Sequence, residues 1–399
     1  MPAAEESITR SPEVGVSSAI LLLILISDPL QALQTTGLAP ALTTLKQHFD
    51  ATGNAFFGIQ MLVSLPGLGI ILAGWPAGRL IERFGAPSVL TVALPAYAFS
   101  GAAGLVFDTL QALLLSRLLM GLATGAIASA ALSLIAESLD PQQRPWLLSW
   151  QASLGAIAGL ASLPVAGWLA ETEGWRGPFA LYLLALLAWP AALSRLQGGR
   201  LVRPAPHPAN ALPRASSRPL WPVLAGVALV FAAVFTRSSF LPFVLAEAGL
   251  TRPIEQAWTL ALECLLNSLG ALAFASFVAR LAPARCLLFC LLIMGGGNLL
   301  LGLADSLPLK IFGMSISAAA SGFAGPCLAY LVLQRAGPAL QLRASGLIFT
   351  AIYLGDFIHP LPATLLRQAF GLHGAFVAVG LVCLAAGPLM SRRMRERKN

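Results

Sequence analysis

Charged residues are scarce in this sequence, and their scarcity excludes an ordinary soluble fold. Asp, Glu, Lys and Arg make up 11% of the 399 residues, whereas hydrophobic residues make up 57%, and the mean hydropathy is +0.78. A soluble domain carries about 25% charged residues because its surface faces water. A chain with so few charges cannot cover such a surface, so we expect its exterior to face a lipid bilayer.

Cysteine and recognisable catalytic motifs are also in short supply. The five cysteines lie in apolar runs of the second half, without the spacing of a metal site or a disulfide framework, so we interpret them as small buried residues. The sequence lacks a phosphate-binding loop, a metalloprotease motif and a nucleophile elbow in a suitable structural context. We therefore expect no enzymatic activity, no metal and no organic cofactor.

Long apolar runs dominate the chain and predict an all-α membrane protein. A membrane-spanning helix needs about 20 mostly apolar residues, and twelve such segments can be placed, so we expect twelve transmembrane helices. The acidic and basic residues before the first run do not resemble a signal peptide, so we expect the first span to be retained. The predicted spans are 17–42, 54–77, 88–107, 110–136, 146–170, 177–196, 220–246, 256–280, 285–304, 309–333, 344–366 and 371–391.

The basic residues predict the orientation of these spans. With the N-terminus placed in the cytoplasm, 18 of the 25 Lys and Arg residues fall on the cytoplasmic side, five fall outside and two lie within spans. This asymmetry is typical of an inner-membrane protein with both termini in the cytoplasm. The formal charge of +8 resides in short connectors and at the C-terminus, so we expect no nucleic-acid partner.

The chain also divides into two related halves. The Pro-, Arg- and Ser-rich stretch 197–219 is the longest polar segment, and we interpret it as a cytoplasmic linker between a six-helix bundle at 1–196 and another at 220–399, which ends in a basic cytoplasmic tail. Residues 159–179 are weakly echoed about 196 residues later by 355–376. This repeat predicts two pseudo-symmetric bundles.

The connector between spans 2 and 3 carries the most specific local motif, GRLIERFG at 78–85. Gly78 allows two helices to approach closely, Glu82 can pair with a basic residue or a helix N-terminus, and Gly85 permits a tight turn. With Arg83 after the acid, this segment resembles the signature gate loop of the major facilitator superfamily. The family usually has further basic residues after the second Gly, where this chain has Ala, Pro and Ser.

Other stretches of the first half strengthen the resemblance. In span 4, Arg117 and Gly121, followed by Gly125, resemble the family's Arg-x-x-x-Gly motif. Residues 174–179 resemble another recurrent pattern at the outer end of span 5. Residues 39–42 resemble the Pro-Ala-Leu stretch of the drug:proton antiporter group.

Span 5 carries a Gly/Pro-rich pattern that resembles a motif associated with exporters. Its members are Gly155, Gly159, Pro164 and Gly167, and Leu163 stands where that motif has a further Gly. The resemblance implies a twelve-span transporter of the drug:proton antiporter or small-molecule efflux type. It further implies two six-helix bundles around a central site that opens alternately to each side of the membrane.

Several polar and ionisable residues are predicted at membrane depth, where a charge costs at least about 2.5–3.5 kcal/mol and needs a partner or a water-filled cavity. Two pairs share a helix face, since their members are three or four residues apart. The set comprises Asp28 in span 1, Arg117 in span 4, Arg237 in span 7, Glu263 and Asn267 in span 8, and Asp356 and His359 in span 11.

Each of these residues has alternative roles. Asp28 is a candidate proton carrier or ligand of a cationic substrate. In the resembled fold spans 1 and 4 line the central cavity, so we expect Asp28 to contact Arg117, either functionally or as a structural pair. Arg237 either neutralises an acid of the second half, binds an anionic substrate or snorkels to the interface.

Two acids in the second half are predicted to couple transport to protons. Glu263 and Asp356 lie in mid-span, where an apolar environment favours the neutral acid. His359 precedes a proline and is either a proton relay, since free imidazole titrates near pH ~6.5, or a hydrogen-bonded structural residue at a kink.

These observations predict a secondary transporter that exports a small organic molecule across the inner membrane in exchange for protons. We expect a monomer. An uptake permease of the same fold, an intramembrane enzyme and a non-transporting membrane sensor are the alternatives. The resemblance does not identify the substrate.

Overall fold

The computed structural model describes residues 17–50, 55–140, 142–197, 220–278, 280–336 and 341–395. Helices and short turns account for this part of the chain, and no strand occurs within it. The all-α fold predicted from the apolar runs is confirmed. Of the proposed linker 197–219 only Gln197 is described, and the end of the basic tail, 396–399, also lies outside the described residues.

Eleven described segments are long and apolar enough to cross a membrane. The last of them, Gly346–Ser391, has 46 residues and would be about 69 Å long as one helix, more than twice the ~30 Å of the hydrocarbon core. Gly371 divides it, because its φ of +74° is left-handed and interrupts the helix. With this division the described residues contain twelve spans.

Six spans belong to the first half and six to the second. Span 1 is broken into three short helices with a 3-10 turn between the last two, and span 6 begins as a 3-10 helix. The bounds of spans 1–6 are Ser18–Leu25, Ser27–Thr36 and Leu42–Phe49; Ala55–Phe84; Ala86–Gly101 with Ala102–Leu105; Leu110–Ser138; Arg144–Thr172; and Gly174–Ala188 with Trp189–Gln197. The bounds of spans 7–12 are Trp221–Glu247; Pro253–Val278; Pro283–Leu303; Leu307–Ala336; Gln341–Ile358 with 360–370; and 372–395.

Span 2 is longer than the sequence predicts, and this changes the position of the gate motif. The helix continues to Phe84, so Glu82 and Arg83 lie on its last turn and are exposed, and the connector shrinks to Gly85. Gly85 has a φ of +81°, a conformation that only glycine adopts without strain. Among the described residues Glu82 forms no ion pair.

Close helix contacts hold the first half together where glycine leaves space. Gly121 lies against the backbone of Pro66, and Gly125 lies against Ala73, so spans 2 and 4 approach closely along this stripe. Small residues at such contacts let helix backbones pack tightly in lipid, where burial of apolar surface supplies little driving force.

Span 5 uses its glycines in the same way against span 1. A Cβ on Gly155 would lie 2.8 Å from the Cβ of Asp28, and one on Gly159 would lie 3.4 Å from the Cβ of Ala32. Pro164 lies inside the span 5 helix, which remains continuous around it. Four of the predicted helix-packing glycines, Gly121, Gly125, Gly155 and Gly167, thus lie at tight helix contacts, and Gly159 lies at an ordinary one.

Gly78 differs from these positions. A Cβ there would meet no described heavy atom within 4 Å, so the close helix approach expected at the gate motif is not formed in this conformation. The physical reason is that the end of span 2 projects beyond the stripe that packs on span 4.

A matched pair of glycine substitutions tests this difference. Gly121→Ala should lower the stability of the purified protein by about 1–3 kcal/mol, because the added methyl group overpacks the contact with Pro66. Gly78→Ala should leave stability unchanged or slightly raised. Thermal unfolding in detergent measures both; equal losses at the two positions would contradict the packing described for spans 2 and 4.

Candidate functional site

A cavity of about 450 Å³ lies between the two halves. The wall from the first half is mostly apolar and includes Ala39, Leu42, Val63 and Leu163. The first half also contributes the hydroxyls of Thr35 and Thr36, whereas the ionisable side chains, Arg237 and Glu263, lie on the wall from the second half. A cavity of this size falls within the range of small-molecule sites, about 300–1,000 Å³.

A larger hollow lies on the outside of the bundle and has a different character. It measures about 1090 Å³ and runs along spans 3 and 4, where Val92, Phe99 and Leu115 are strongly exposed. The described residues that line it include no ionisable side chain. In a membrane protein such a surface faces lipid tails, so we place the site in the cavity between the halves.

The second half of the cavity is organised around a buried ion pair. Arg237 donates from Nε and Nη2 to Glu263 Oε1 at 3.0 and 2.8 Å. Their side chains are only 1% and 8% exposed. Further hydrogen bonds run from Arg237 to Ser317 and Ser321, at 2.9 and 3.1 Å, and from Ser238 to Glu263 Oε1 at 2.8 Å. Removing one partner of such a pair costs about 3–5 kcal/mol, because the other charge stays buried.

Asn267 joins the same group, as its spacing from Glu263 predicts. Its Nδ2 donates to Ser321 Oγ at 2.9 Å, and both Glu263 and Asn267 line the cavity. Spans 7, 8 and 10 therefore meet in one polar cluster, which we call the Arg237 cluster: Arg237, Ser238, Glu263, Asn267, Ser317 and Ser321.

His359 compensates for a backbone donor that Pro360 cannot supply. The carbonyl of Asp356 would accept a helical hydrogen bond from residue 360, but proline has no N–H. His359 Nδ1 lies 2.6 Å from this carbonyl oxygen, and Nε2 lies 2.9 Å from Ser239 Oγ. A hydrogen on Nδ1 satisfies the carbonyl and leaves Nε2 of the neutral ring as an acceptor.

The hydroxyl of Ser239 completes this arrangement, because it has one hydrogen and two acceptors. It lies 2.8 Å from the Phe235 carbonyl oxygen as well as next to His359. With a neutral imidazole the hydroxyl donates to Nε2; with a protonated imidazole Nε2 becomes a donor and the hydroxyl donates to Phe235 instead. Since Ser239 lines the cavity, the protonation state of His359 alters the cavity wall.

The carboxyl group of Asp356 lies at the contact between the halves. The residue is 5% exposed, and Oδ1 has no hydrogen-bond partner among the described residues. Oδ2 lies against Gly67 of span 2, where a Cβ would be only 2.7 Å away. One turn earlier in span 11, Tyr353 accepts a hydrogen bond from Gln31 of span 1. Asp356 is thus enclosed by both halves without a counter-charge.

Arg117 and Asp28 do not form the contact expected from the family resemblance. The guanidinium of Arg117 stacks on Phe179 and Tyr182 of span 6, with Cζ 4.8 and 4.7 Å from the ring centroids. Asp28 instead accepts from Ser27 Oγ at 3.4 Å. Neither residue lines the central cavity. The aromatic rings of span 6 hold the arginine inside the first half, which explains why it does not reach Asp28.

The halves are closed at one end of the bundle. Phe56 of span 2 contacts Phe240 and Phe243 of span 7, with centroids 5.1 and 4.9 Å apart, and the Arg367 guanidinium lies 3.7 Å above its ring. We call this the Phe56 end and the opposite one, which carries the gate motif, the Glu82 end. At the Glu82 end, a Cβ on Gly74, like one on Gly78, would meet no described heavy atom within 4 Å.

Spans 5 and 8 add to the closure at the Phe56 end. Gly167 lies against Ala257, and Arg252 forms an ion pair with Glu171 across the two halves. Hydrogen bonding by Glu171 raises the pKa of Arg252, so the guanidinium is charged at any accessible pH. Because Arg252 is exposed, this pair orients the helices more than it stabilises them.

Some contacts of the site were not among the residues singled out from the sequence. Ser317 and Ser321 are four residues apart on one face of span 10, and that spacing is a signal that pattern analysis can detect. Gly67 and Tyr353 carry no comparable signal, since each matters only because of its neighbour in the other half.

A double-mutant cycle tests the role of His359 at the kink. His359→Phe should destabilise the protein by about 1–3 kcal/mol, because the Asp356 carbonyl loses its donor in a buried site. In a Pro360→Ala background the restored backbone N–H supplies that donor, so the same substitution should cost less. Unfolding of the four variants measures the coupling; purely additive effects would contradict the assignment.

Similar sequences are found among transporters of different substrates. The chain is 25% identical over 172 residues to the hexuronate transporter of Bacillus subtilis (strain 168), covering 41% of this chain and 40% of that protein. It is 32% identical over 174 residues to the tetracycline resistance protein, class B, of Escherichia coli, covering 43% and 41%. The chain thus spans less than half the length of these relatives.

Solved structures resemble the whole fold. A bacterial homologue of the human lysosomal transporter Spinster, inward-facing and occupied, superposes with a TM-score of 0.77 at 16% identity, covering 94% of this chain and 97% of that one. A D-xylose-proton symporter gives 0.73 at 19%, covering 93% and 96%. At these identities the likeness shows the fold alone. The family model described as Major Facilitator Superfamily matches residues 30–360, and the chain belongs to that superfamily of multi-pass membrane transporters.

Proposed function

We propose that this protein exports a small organic molecule by alternating access, in exchange for protons that Asp356 carries. The observation that supports the proposal most strongly is the Asp356 carboxyl group, which is buried between the halves with Oδ1 unpartnered and Oδ2 against Gly67. The molecule binds in the 450 Å³ cavity between the halves, and the halves rock about it.

The coupling follows from the cost of charge. An ionised carboxylate enclosed without a partner is strongly unfavourable, and the group becomes neutral instead. The packed contact of Asp356 with Gly67 therefore suits the neutral acid. Loss of the proton favours separation of span 11 from span 2, which admits water to the carboxylate. Protonation and the position of the two halves are thereby linked.

Glu263 is less suited to carry the proton, because Arg237 already compensates its charge within hydrogen-bond distance. Protonating it would leave a guanidinium that is 1% exposed without its counter-charge. We therefore assign Glu263, with Arg237 and Asn267, to the substrate cavity. Asp28, outside the cavity wall, is kept as an auxiliary proton site near the interface of spans 1 and 5.

His359 and Arg117 are assigned to the same coupling. His359 lies 3.9 Å from Asp356 Oδ1 and contacts Ser239 in the cavity wall, so it connects the buried acid to the substrate space. Arg117 has an Nε without a partner among the described atoms. Because its guanidinium, on span 4, stacks on aromatic rings of span 6, spans 4 and 6 move together. The gate motif, Gly78 to Gly85, acts where the Glu82 end closes in the opposite state.

Export is favoured by the exporter-like glycines and proline of span 5 and by the tetracycline resistance relative. Uptake by the same cavity is the second candidate, since the relatives include a hexuronate transporter and the fold is shared with a D-xylose-proton symporter. A membrane sensor that does not transport is a further alternative, and it would show no gradient-driven flux of any substrate. We propose that the protein acts as a monomer in the inner membrane and consists of two domains, 1–196 and 220–399. Both termini lie in the cytoplasm, and the Phe56 end faces the outside.

Replacement of Asp356 tests the function. Cells with the wild-type chain should enrich at least one metabolite in the medium relative to cells without it, as measured by untargeted mass spectrometry, and a protonophore should abolish the difference. Asp356→Asn should remove most of this enrichment, because the side chain no longer takes up or releases a proton. Asp305→Asn, a matched change at an exposed position, should not.

Two results would count against this assignment. Accumulation inside the cells would replace export by uptake, and proton-dependent flux that survives Asp356→Asn at the wild-type rate would exclude Asp356 as the carrier. Gradient-dependent flux in neither direction would favour the sensor.

The orientation is tested by cysteine labelling. Ser217→Cys in the linker should react with a membrane-impermeant maleimide only after the cells are permeabilised, whereas Ser306→Cys between spans 9 and 10 should react in intact cells. The unmodified chain, whose five cysteines are buried or half-buried, gives the background. The reverse pattern would invert the topology.

A further inference from the structure

We infer that the substrates are amphipathic molecules with an amine or hydroxyl head group that donates to Glu263 and an apolar body that lies against the first half. This inference deepens the proposed function and rests on it, since it takes the cavity between the halves as the transport site. It names the class of substrate, which the family does not define.

The two oxygens of Glu263 have different environments. Oε1 accepts all three hydrogen bonds of the residue, two from Arg237 and one from Ser238. Oε2 has no hydrogen-bond donor among the described residues, but it is not one of the fully buried polar atoms that lack a partner. Glu263 lines the cavity and is 6% exposed. The cavity therefore presents a carboxylate oxygen that lacks a protein partner.

Asn267 presents a second acceptor close by. Its Nδ2 donates to Ser321, which leaves Oδ1 without a donor among the described side chains, and Asn267 also lines the cavity. One helical turn separates it from Glu263 on the same face of span 8. Two acceptors on one wall are best matched by a head group with several N–H or O–H hydrogens.

Arg237 is not available to an anionic substrate in the same way. Nε, Nη1 and Nη2 are each engaged by the protein, and the side chain is 1% exposed. A substrate carboxylate in the cavity would share it with the unpaired oxygen of Glu263, and two acceptors without a shared proton repel. The ion pair thus leaves the cavity neutral overall while its accessible polar face is an acceptor.

The opposite wall sets the rest of the molecule. Leu42, Val63 and Leu163 from the first half, together with Phe231 and Phe235 of span 7, form an apolar surface. It lies beside Thr35 and Thr36, whose hydroxyls already donate to backbone carbonyls of their own helix. Among the described residues, no charged side chain of the first half lines this cavity. A substrate with an aromatic or aliphatic body gains affinity by burying that body against this surface.

Binding of three matched probes to the full chain in lipid nanodiscs tests the inference without a proton gradient. The probes are 2-(1-naphthyl)ethylamine, 2-(1-naphthyl)ethanol and 1-naphthylacetate, which share the aromatic body and differ in the head group. Calorimetry should show the amine binding at least about tenfold tighter than the carboxylate, with the alcohol between them. Tighter binding of the carboxylate would overturn the inference and make Arg237 the ligand.

Substitutions locate the effect. Glu263→Gln should weaken amine binding about tenfold or more, whereas Glu255→Gln, the same change in the first turn of span 8, should not. The double variant R237Q/E263Q removes both charges, so a lost amine preference there cannot arise from a guanidinium left unpaired. An amine preference that survives in the double variant would contradict the role of Glu263.

This experiment fails separately from the test of the proposed function. If the wild-type chain shows no amine preference while its proton-dependent flux persists, the substrate class is wrong and the transport function stands. If the amine binds through Glu263 while no gradient-driven flux occurs in either direction, the site is correct and the transport proposal is wrong.

Discussion

Ionised side chains inside this bundle must meet their counter-charge within it, because the surrounding helices offer hydrocarbon instead of water. A charge in mid-span costs at least about 2.5–3.5 kcal/mol before any partner is found. Arg237 and Glu263 meet this requirement with an ion pair supported by three serines. Asp356 does not meet it in the described conformation. This contrast is the reason for our proposal that the charge of Asp356, unlike that of the Arg237 cluster, depends on the position of the halves.

The backbone is under a similar constraint, because its polar groups need hydrogen-bond partners inside the bundle. A carbonyl that loses its helical donor inside a membrane needs a replacement, since no water is present to supply one. Pro360 removes such a donor, and His359 replaces it with a side-chain N–H at 2.6 Å. The kink therefore places Asp356 against span 2 and at the same time connects it, through His359 and Ser239, to the cavity wall. Structure and proposed coupling depend on the same few atoms.

The conformation also explains which predicted contacts are present. At the Phe56 end aromatic rings of the two halves pack together, and the Arg252–Glu171 pair orients the helices around them. At the Glu82 end the glycines of span 2 have open space, and Gly78 makes no tight contact. In an alternating-access cycle these two ends exchange roles, so a gate motif has its partners in one state and lacks them in the other.

The fold was predictable from local pattern, whereas the pairing of the site residues was only partly so. The twelve apolar runs and the glycines of spans 4 and 5 can be recognised from residues that lie close together in the sequence. The Glu263–Asn267 face was likewise correct, because residues four apart share one side of a helix. The Asp28–Arg117 contact was wrong, since the rings that hold Arg117 come from span 6, and the approach of Gly67 to Asp356 has no local signal. Contacts between halves depend on how helices distant in sequence are arranged.

The proposed coupling requires that Asp356 is a neutral acid when spans 2 and 11 are in contact. Infrared difference spectroscopy of the purified protein in lipid reads this directly, because a protonated carboxylic acid has a carbonyl band that a carboxylate lacks. We expect such a band in the wild-type chain. It should disappear when the pH is raised, and it should be absent in Asp356→Asn. A band that persists in Asp356→Asn and vanishes in Glu263→Gln would contradict the account and move the proton to the Arg237 cluster.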